Sequence, residues 1–120
     1  MGQELSNCLT VLLKAKENGL YEKLISQLNK DLLLANIHSA ILIDIIPDDL
    51  YLFLKEKIYR LIMEDFNDYL NFLYIIDVPE KSFKKVSVTD AVEVAEQVTF
   101  LVLERELQKV VLKNRYKNNS

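Results

Sequence analysis

The chain has 120 residues, half of them hydrophobic, with a formal net charge of −3 and only two Gly, two Pro and one Cys. The single Cys excludes an internal disulfide, and the negative charge argues against bulk attraction to nucleic acid or anionic membranes. No signal peptide opens the chain and no apolar run is long enough to span a bilayer, so we expect one soluble cytoplasmic domain over residues 1–120. So few chain breakers favour long helices over a many-stranded sheet.

Two short amphipathic helices are predicted at the start of the chain. Residues 4–17 form the first, and Gly19 ends it because Gly adopts the left-handed conformation without a steric penalty. Residues 20–35 form the second, with Asn36 as its cap. The next ten residues, IHSAILIDII, are apolar and β-branched without a clear period. We predict an extended connection over residues 37–46, with a turn of helix or a short strand as alternatives.

The longest run with one helical period covers residues 47–76. Pro47, Asp48 and Asp49 predict its start, because Pro restricts the residue before it and carboxylates are favoured at a helix N-terminus. At 1.5 Å per residue this helix would be ~40 Å long. Its apolar arc covers more than half of the circumference, so we predict that it packs against two or more neighbours and organises the domain.

One carboxylate lies inside that apolar arc. On the helical wheel Asp65 falls between Leu61 and Tyr69. A buried carboxylate costs several kcal/mol unless it is paired or protonated, so Asp65 would need a partner from another segment. We therefore predict that Asp65 is a buried polar residue. Structural pairing is the favoured interpretation, and a ligand site is the alternative.

A polar connection follows, and then a second long helix. This helix is predicted to start near Thr89 or Asp90 and to run to about Tyr116, with Asp90 and Glu93 as a capping arrangement. The last seven residues, 114–120, are basic and polar, and we predict a frayed tail there.

The second long helix carries two apolar stripes on different sides. One straight helix cannot turn both stripes onto a single small bundle, so one of them is expected to face a second molecule. A twofold contact between like helices is the commonest solution. We predict a homodimer through the second stripe, with the interface residues Phe100, Leu103, Leu107, Val110 and Val111.

The segments KEKIYRLIMEDFNDYLNFLYIIDVPE and LVLERELQKVVLKNRYK carry a resemblance to known proteins. Together they are similar to a family of short, uncharacterised, all-helical bacterial proteins, over about the second half of the chain. The likeness is a general similarity of sequence over these segments and involves no catalytic motif. It implies a bacterial cytoplasmic setting, and it assigns no functional residue.

The sequence lacks the patterns that assemble an enzyme site. Cys8 lies on an apolar helix face, where a thiol is usually a small buried hydrophobe, and nothing brings it to His38, the only histidine. The two glycines, at positions 2 and 19, form no phosphate-binding loop, and no Glu-x-x-His pair is present. We therefore predict no catalytic, cofactor-binding or metal-binding residues.

A nucleic-acid-binding pattern is the main alternative. Residues 11–30 place small, Gly and apolar residues as in a helix-turn-helix, whose second helix would enter the major groove. Lys14 and Asn18 depart from that motif, because both positions are usually apolar. The side chains that would contact DNA are Lys23, Ser26, Gln27 and Lys30.

The predicted architecture is an all-α helical bundle, in which two short N-terminal helices pack on a long antiparallel helix pair. The predicted function is a non-catalytic protein–protein interaction or regulatory module that binds itself and a further protein. A DNA-binding regulator is the alternative.

Overall fold

Six helices and their connections make up the computed structural model, which describes residues 2–84 and 90–118. No strand occurs among these residues, and the predicted all-α bundle is confirmed. In chain order the helices are α1 (Gly2–Glu17), α2 (Tyr21–Leu34), α3 (Pro47–Glu64), α4 (Phe66–Ile76), α5 (Glu80–Lys84) and α6 (Ala91–Asn118).

The other helices surround α6. It packs against all five of them, whereas the sequence favoured residues 47–76 as the organising element. Apolar residues are spread around its circumference, as expected for a helix with neighbours on several sides. Val98, Val102 and Leu103 are completely buried. They share one continuous core with buried side chains of the preceding helices, such as Leu12, Leu24, Leu28, Leu54, Ile58 and Phe72.

Three of the described helices end in the same left-handed motif. Gly19, Asn36 and Asp77 follow α1, α2 and α4 with φ of 68°, 62° and 70°. After α1, the amide of Gly19 donates to the Lys16 carbonyl and that of Leu20 donates to the Ala15 carbonyl. These paired bonds define the Schellman motif, which satisfies carbonyls that the helix leaves without donors. The predicted stops at Gly19 and Asn36 are confirmed.

The connection between α2 and α3 is held by side chains. Residues 37–46 contain neither helix nor strand, so the two alternatives, a turn of helix and a short strand, are wrong, and the connection includes a turn at residues 43–44. The Asn29 amide bonds both backbone groups of Ile41, accepting from its N–H at 2.7 Å and donating to its carbonyl at 2.9 Å. The Tyr21 hydroxyl donates to the Ile45 carbonyl. Burial, with a smaller contribution from the Asp49 charge, raises the pKa of Tyr21 to about 12, so this donor keeps its proton.

The predicted long helix over residues 47–76 is broken at Asp65, and the prediction that Asp65 is buried is wrong. Its backbone, with φ −152° and ψ 76°, leaves the helical region between α3 and α4. Asp65 is exposed, and its carboxylate accepts from the Asp68 amide at 3.2 Å as the N-cap of α4. The helical wheel failed here because the backbone of Asp65 is itself not helical, so its side chain does not follow the helical repeat.

Asp65→Ala should therefore lower the free energy of unfolding by about 1 kcal/mol, the usual effect of losing an N-cap. Asp65→Asn should leave stability nearly unchanged, because its side-chain oxygen can accept the same bond. Urea denaturation of the two variants measures the difference. Equal losses for Ala and Asn would show that the cap contributes nothing.

The remaining boundaries are close to those predicted. The predicted start of the last helix near Thr89 lies outside the described residues, but Asp90 does accept from the Glu93 amide at 2.8 Å. The tail predicted to fray from 114 is helical to Asn118, and α5 occupies part of the predicted polar connection. None of the described helices combines the length and apolar character needed to cross a membrane.

Candidate functional site

A groove of about 740 Å³ lies between α1 and α6. One face of each helix borders it, since Asn7, Thr10, Val11 and Lys14 follow the helical repeat, as do Phe100, Leu107 and Val111. We call this surface the α1–α6 groove. Its apolar lining consists of Val11, Phe100, Leu107, Val111 and Leu112.

The polar rim of the α1–α6 groove is mainly basic. Three basic side chains and one acidic one line it, in a chain whose net charge is negative. Arg105 is engaged elsewhere, because it bonds the carbonyl of Asp77 at 3.0 Å and the carboxylate of Asp77 at 2.9 Å. Lys14 and Arg115 have no carboxylate within ion-pair distance among the described residues. Their charges are open to an incoming ligand.

The residues predicted to form a homodimer interface divide into two groups. Phe100 and Val111 are half-buried and Leu107 is 9% exposed, and all three line the α1–α6 groove. Leu103 is completely buried and Val110 is 4% exposed, so their own chain covers both side chains. This burial counts against their predicted contact with a second molecule, and the homodimer itself stays a prediction.

A second feature, the buried ionic cluster, consists of Asp31, Glu106 and Lys109. Asp31 is 2% exposed and Glu106 is completely buried. The Lys109 ammonium donates to Asp31 Oδ2 at 2.7 Å and to the Ile76 carbonyl at 3.1 Å. Gln27 Nε2 donates to both Asp31 oxygens, at 3.1 and 3.2 Å. The cluster therefore joins α2, the end of α4, and α6.

Glu106 is the odd member of this cluster. Lys109 Nζ lies 2.9 Å from Glu106 Oε1, which is ion-pair distance. Its aligned hydrogen bonds nevertheless go to Asp31 and Ile76, and neither Glu106 oxygen has a hydrogen-bond donor among the described residues. An ionised carboxylate without donors is costly in the interior. The geometry is that of a neutral carboxylic acid beside a lysine–aspartate pair.

The pKa shifts follow from this arrangement. Burial, and then the hydrogen bond with Asp31, raise the pKa of Glu106 to about 8, while Lys109 opposes the shift. Burial would raise the pKa of Asp31 as well, but hydrogen bonds from Glu106, Lys109 and Gln27 outweigh it and hold that pKa below its usual value. Burial would lower the pKa of Lys109, yet its hydrogen bond to Asp31 and the close approach of Glu106 leave it raised. These directions favour a cluster of one cation, one anion and one neutral acid.

Sequence reasoning missed this cluster, although a signal was present. Asp31 stands three residues after Leu28 and four before Ala35, inside the apolar stripe of α2. Glu106 stands three residues after Leu103 and four before Val110. The same helical-wheel reasoning that was applied to Asp65 would have placed Asp31 and Glu106 on apolar helix faces, and both residues do lie within continuous helices.

Two of the four side chains predicted to contact DNA bond other residues of the chain. Gln27 is 7% exposed, and its side chain bonds Asp31 and Lys113, which counts against the prediction that it reads a base. The Lys23 ammonium donates to Asn114 Oδ1 at 2.8 Å. Ser26 and Lys30 are exposed. This face of α2 adjoins α6, which limits its entry into a major groove.

The pair of residues considered for nucleophilic chemistry is separated by burial. Cys8 is completely buried, as its apolar helix face predicted, and His38 is exposed. Burial, with a smaller contribution from the Glu4 charge, raises the pKa of the Cys8 thiol to about 12. A thiol so far from ionising is a poor nucleophile at neutral pH.

Comparisons with known protein families, curated proteins and solved structures give no match to this chain. The resemblance of its second half to short bacterial proteins therefore stays a prediction, and no relative supplies a role for any residue.

Proposed function

We propose that this chain is a non-catalytic protein-interaction module of the cytoplasm. In this proposal, the α1–α6 groove holds an amphipathic helix of a partner protein, with an apolar stripe flanked by acidic residues. The observation that carries the proposal is the groove itself, which combines an apolar lining with a mainly basic rim. Helices that bind in such grooves anchor themselves through side chains at i, i+4 and i+7.

The length of the groove suits this partner. Along α1 it extends from Asn7 to Asn18, which is ~16 Å at the helical rise. Anchors at i, i+4 and i+7 span ~10 Å of a partner helix, so three of them fit within the groove. Leu112, which keeps 47% of its surface exposed, supplies apolar contact area for such anchors.

The rim favours an acidic partner over a second copy of the chain. Lys14 and Arg115 can pair with carboxylates that flank the apolar stripe of a partner helix. A twofold contact through the same groove would bring one mainly basic rim against another. The homodimer predicted from the sequence stays a prediction, and light scattering decides it.

Binding of designed peptides tests the proposal. Two labelled helical peptides share leucines at i, i+4 and i+7, with glutamates beside the leucines in one and lysines in the other. Fluorescence polarisation should show a preference for the acidic peptide. Leu112→Asp should weaken that binding at least about tenfold, because it removes apolar contact and adds a repelling charge. The double variant Lys14→Glu/Arg115→Glu should reverse the preference.

The control is Tyr74→Asp, a change to a side chain that is 82% exposed on α4, outside the groove. It should leave peptide binding unchanged. Equal affinity for the acidic and the basic peptide would count against the α1–α6 groove as the binding site. So would a loss of peptide affinity in Tyr74→Asp equal to the loss in Leu112→Asp. A dimer mass in light scattering that Leu112→Asp converts to a monomer mass would make a second copy the occupant and overturn the choice of an acidic partner.

A further inference from the structure

A second groove, of about 440 Å³, lies between α2 and the C-terminal part of α6. We call it the α2–α6 groove. Lys23, Lys30, Lys113 and Lys117 line it, and Glu22 is the one acidic side chain in the lining. We propose that this groove binds a small molecule bearing a diphosphate group. This site is separate from the α1–α6 groove and does not depend on the function proposed there.

The first support is that two of these lysines are held in place by neutral acceptors. Lys23 Nζ donates to Asn114 Oδ1 at 2.8 Å, and Lys113 Nζ donates to Gln27 Oε1 at 2.6 Å. Neither ammonium has a carboxylate within ion-pair distance among the described residues. An amide oxygen orients an ammonium group without cancelling its charge. Both cations are therefore positioned and keep their full charge for an incoming anion.

The second support is that the buried ionic cluster fixes the acceptor for Lys113. Gln27 is 7% exposed, and its Nε2 is committed to the two oxygens of Asp31. Its Oε1 must then point the other way, toward the groove and Lys113. Asp31 is itself held by Lys109 at 2.7 Å. This chain of contacts keeps one wall of the groove preorganised, which reduces the entropy lost when a ligand binds.

The spacing of the lysines indicates an elongated anion. Lys23 and Lys30 lie two helical turns apart on α2, which is ~10 Å along the axis. Lys113 and Lys117 lie ~6 Å apart along α6. Because the lysines are spread along the groove, a diphosphate, which is longer and more highly charged than a single phosphate, can contact more of them. Ile43 and Val110 add an apolar part that suits the organic portion of such a molecule.

A titration with inorganic pyrophosphate, followed by amide NMR at constant ionic strength, tests the site. The expected result is saturable shifts confined to the amides around Lys23, Gln27, Val110 and Lys113. Orthophosphate should bind more weakly than pyrophosphate. Lys23→Gln/Lys113→Gln should weaken pyrophosphate binding at least about tenfold, since it removes two charge-assisted contacts.

The matched control is Lys57→Gln/Lys81→Gln, which makes the same change in net charge outside the groove. It should leave the affinity unchanged. Shifts that do not saturate in the millimolar range, or an equal loss in the control variant, would overturn the proposal. Orthophosphate binding as tightly as pyrophosphate would overturn the assignment to a diphosphate. Duplex DNA that binds more tightly than pyrophosphate, and through the same two lysines, would overturn the small-molecule class.

Discussion

Replacing Lys109 with methionine is expected to lower the free energy of unfolding by about 3 kcal/mol at neutral pH. The change leaves Asp31 ionised, 2% exposed and without its cation. It also removes the donor to the Ile76 carbonyl at the end of α4. This value lies at the low end for a broken buried pair, because the Lys109 side chain keeps 16% of its surface exposed. Urea denaturation curves give the difference directly.

Two further variants show whether the loss comes from the orphaned carboxylate. Lys57→Met makes the same chemical change outside the cluster and should alter stability by less than about 0.5 kcal/mol. Asp31→Asn/Lys109→Met removes both charges and should recover a large part of the loss. A Lys109→Met variant that unfolds at the same urea concentration as Lys57→Met would show that the buried pair is not stabilising.

Glu106→Gln is expected to make the protein more stable at pH 8 and to have little effect near pH 5. In the folded protein the pKa of Glu106 is raised to about 8 from an ordinary value of 4.5. A raised acid pKa stabilises the fold fully below the unfolded pKa, and that contribution is lost as pH rises through the folded pKa. Wild-type stability should therefore fall between pH 4.5 and 8, by up to about 4 kcal/mol.

Glutamine mimics the protonated acid at every pH, because its amide can still donate toward Asp31. The stability of Glu106→Gln should thus be nearly flat over that window. Glu104→Gln is the matched control, two residues earlier on the same helix and exposed, and it should keep the wild-type pH dependence. Urea curves at several pH values measure all three proteins. A flat wild-type profile would mean that Glu106 is ionised in the fold.

Much of this fold is predictable from local patterns alone. Helix starts and stops follow from residues such as Asp90 and Gly19, whose conformational preferences act within one or two turns. The non-helical connection before Pro47 was predictable for the same reason. Local patterns cannot predict which helix packs against each face of another helix. The central place of α6 depends on contacts with all five other helices, and nothing within α6 specifies them.

The errors at Asp65 and at the ionic cluster have different physical causes. The apolar period on both sides of Asp65 suggested one helix, while its capping geometry, with Asp68 three residues later, ended one helix and began another. Asp31 is tolerated in the core because Lys109, 78 positions away along the chain, pairs with it, whereas Glu106 lies within one turn of Lys109 on the same helix. The linear sequence does not place the partner of Asp31 beside it.

Because α6 follows the other five described helices along the chain, its central position has a consequence for the order of events during translation. The contact from Lys23 to Asn114 joins residues 91 positions apart, and α1 and α2 both pack on α6. Helical proteins usually fold quickly because most of their contacts are local, but this chain must close long loops before its core is complete. While the ribosome is still making α6, the apolar faces of the earlier helices lack their main partner. During that interval the nascent chain exposes the kind of surface that chaperones bind.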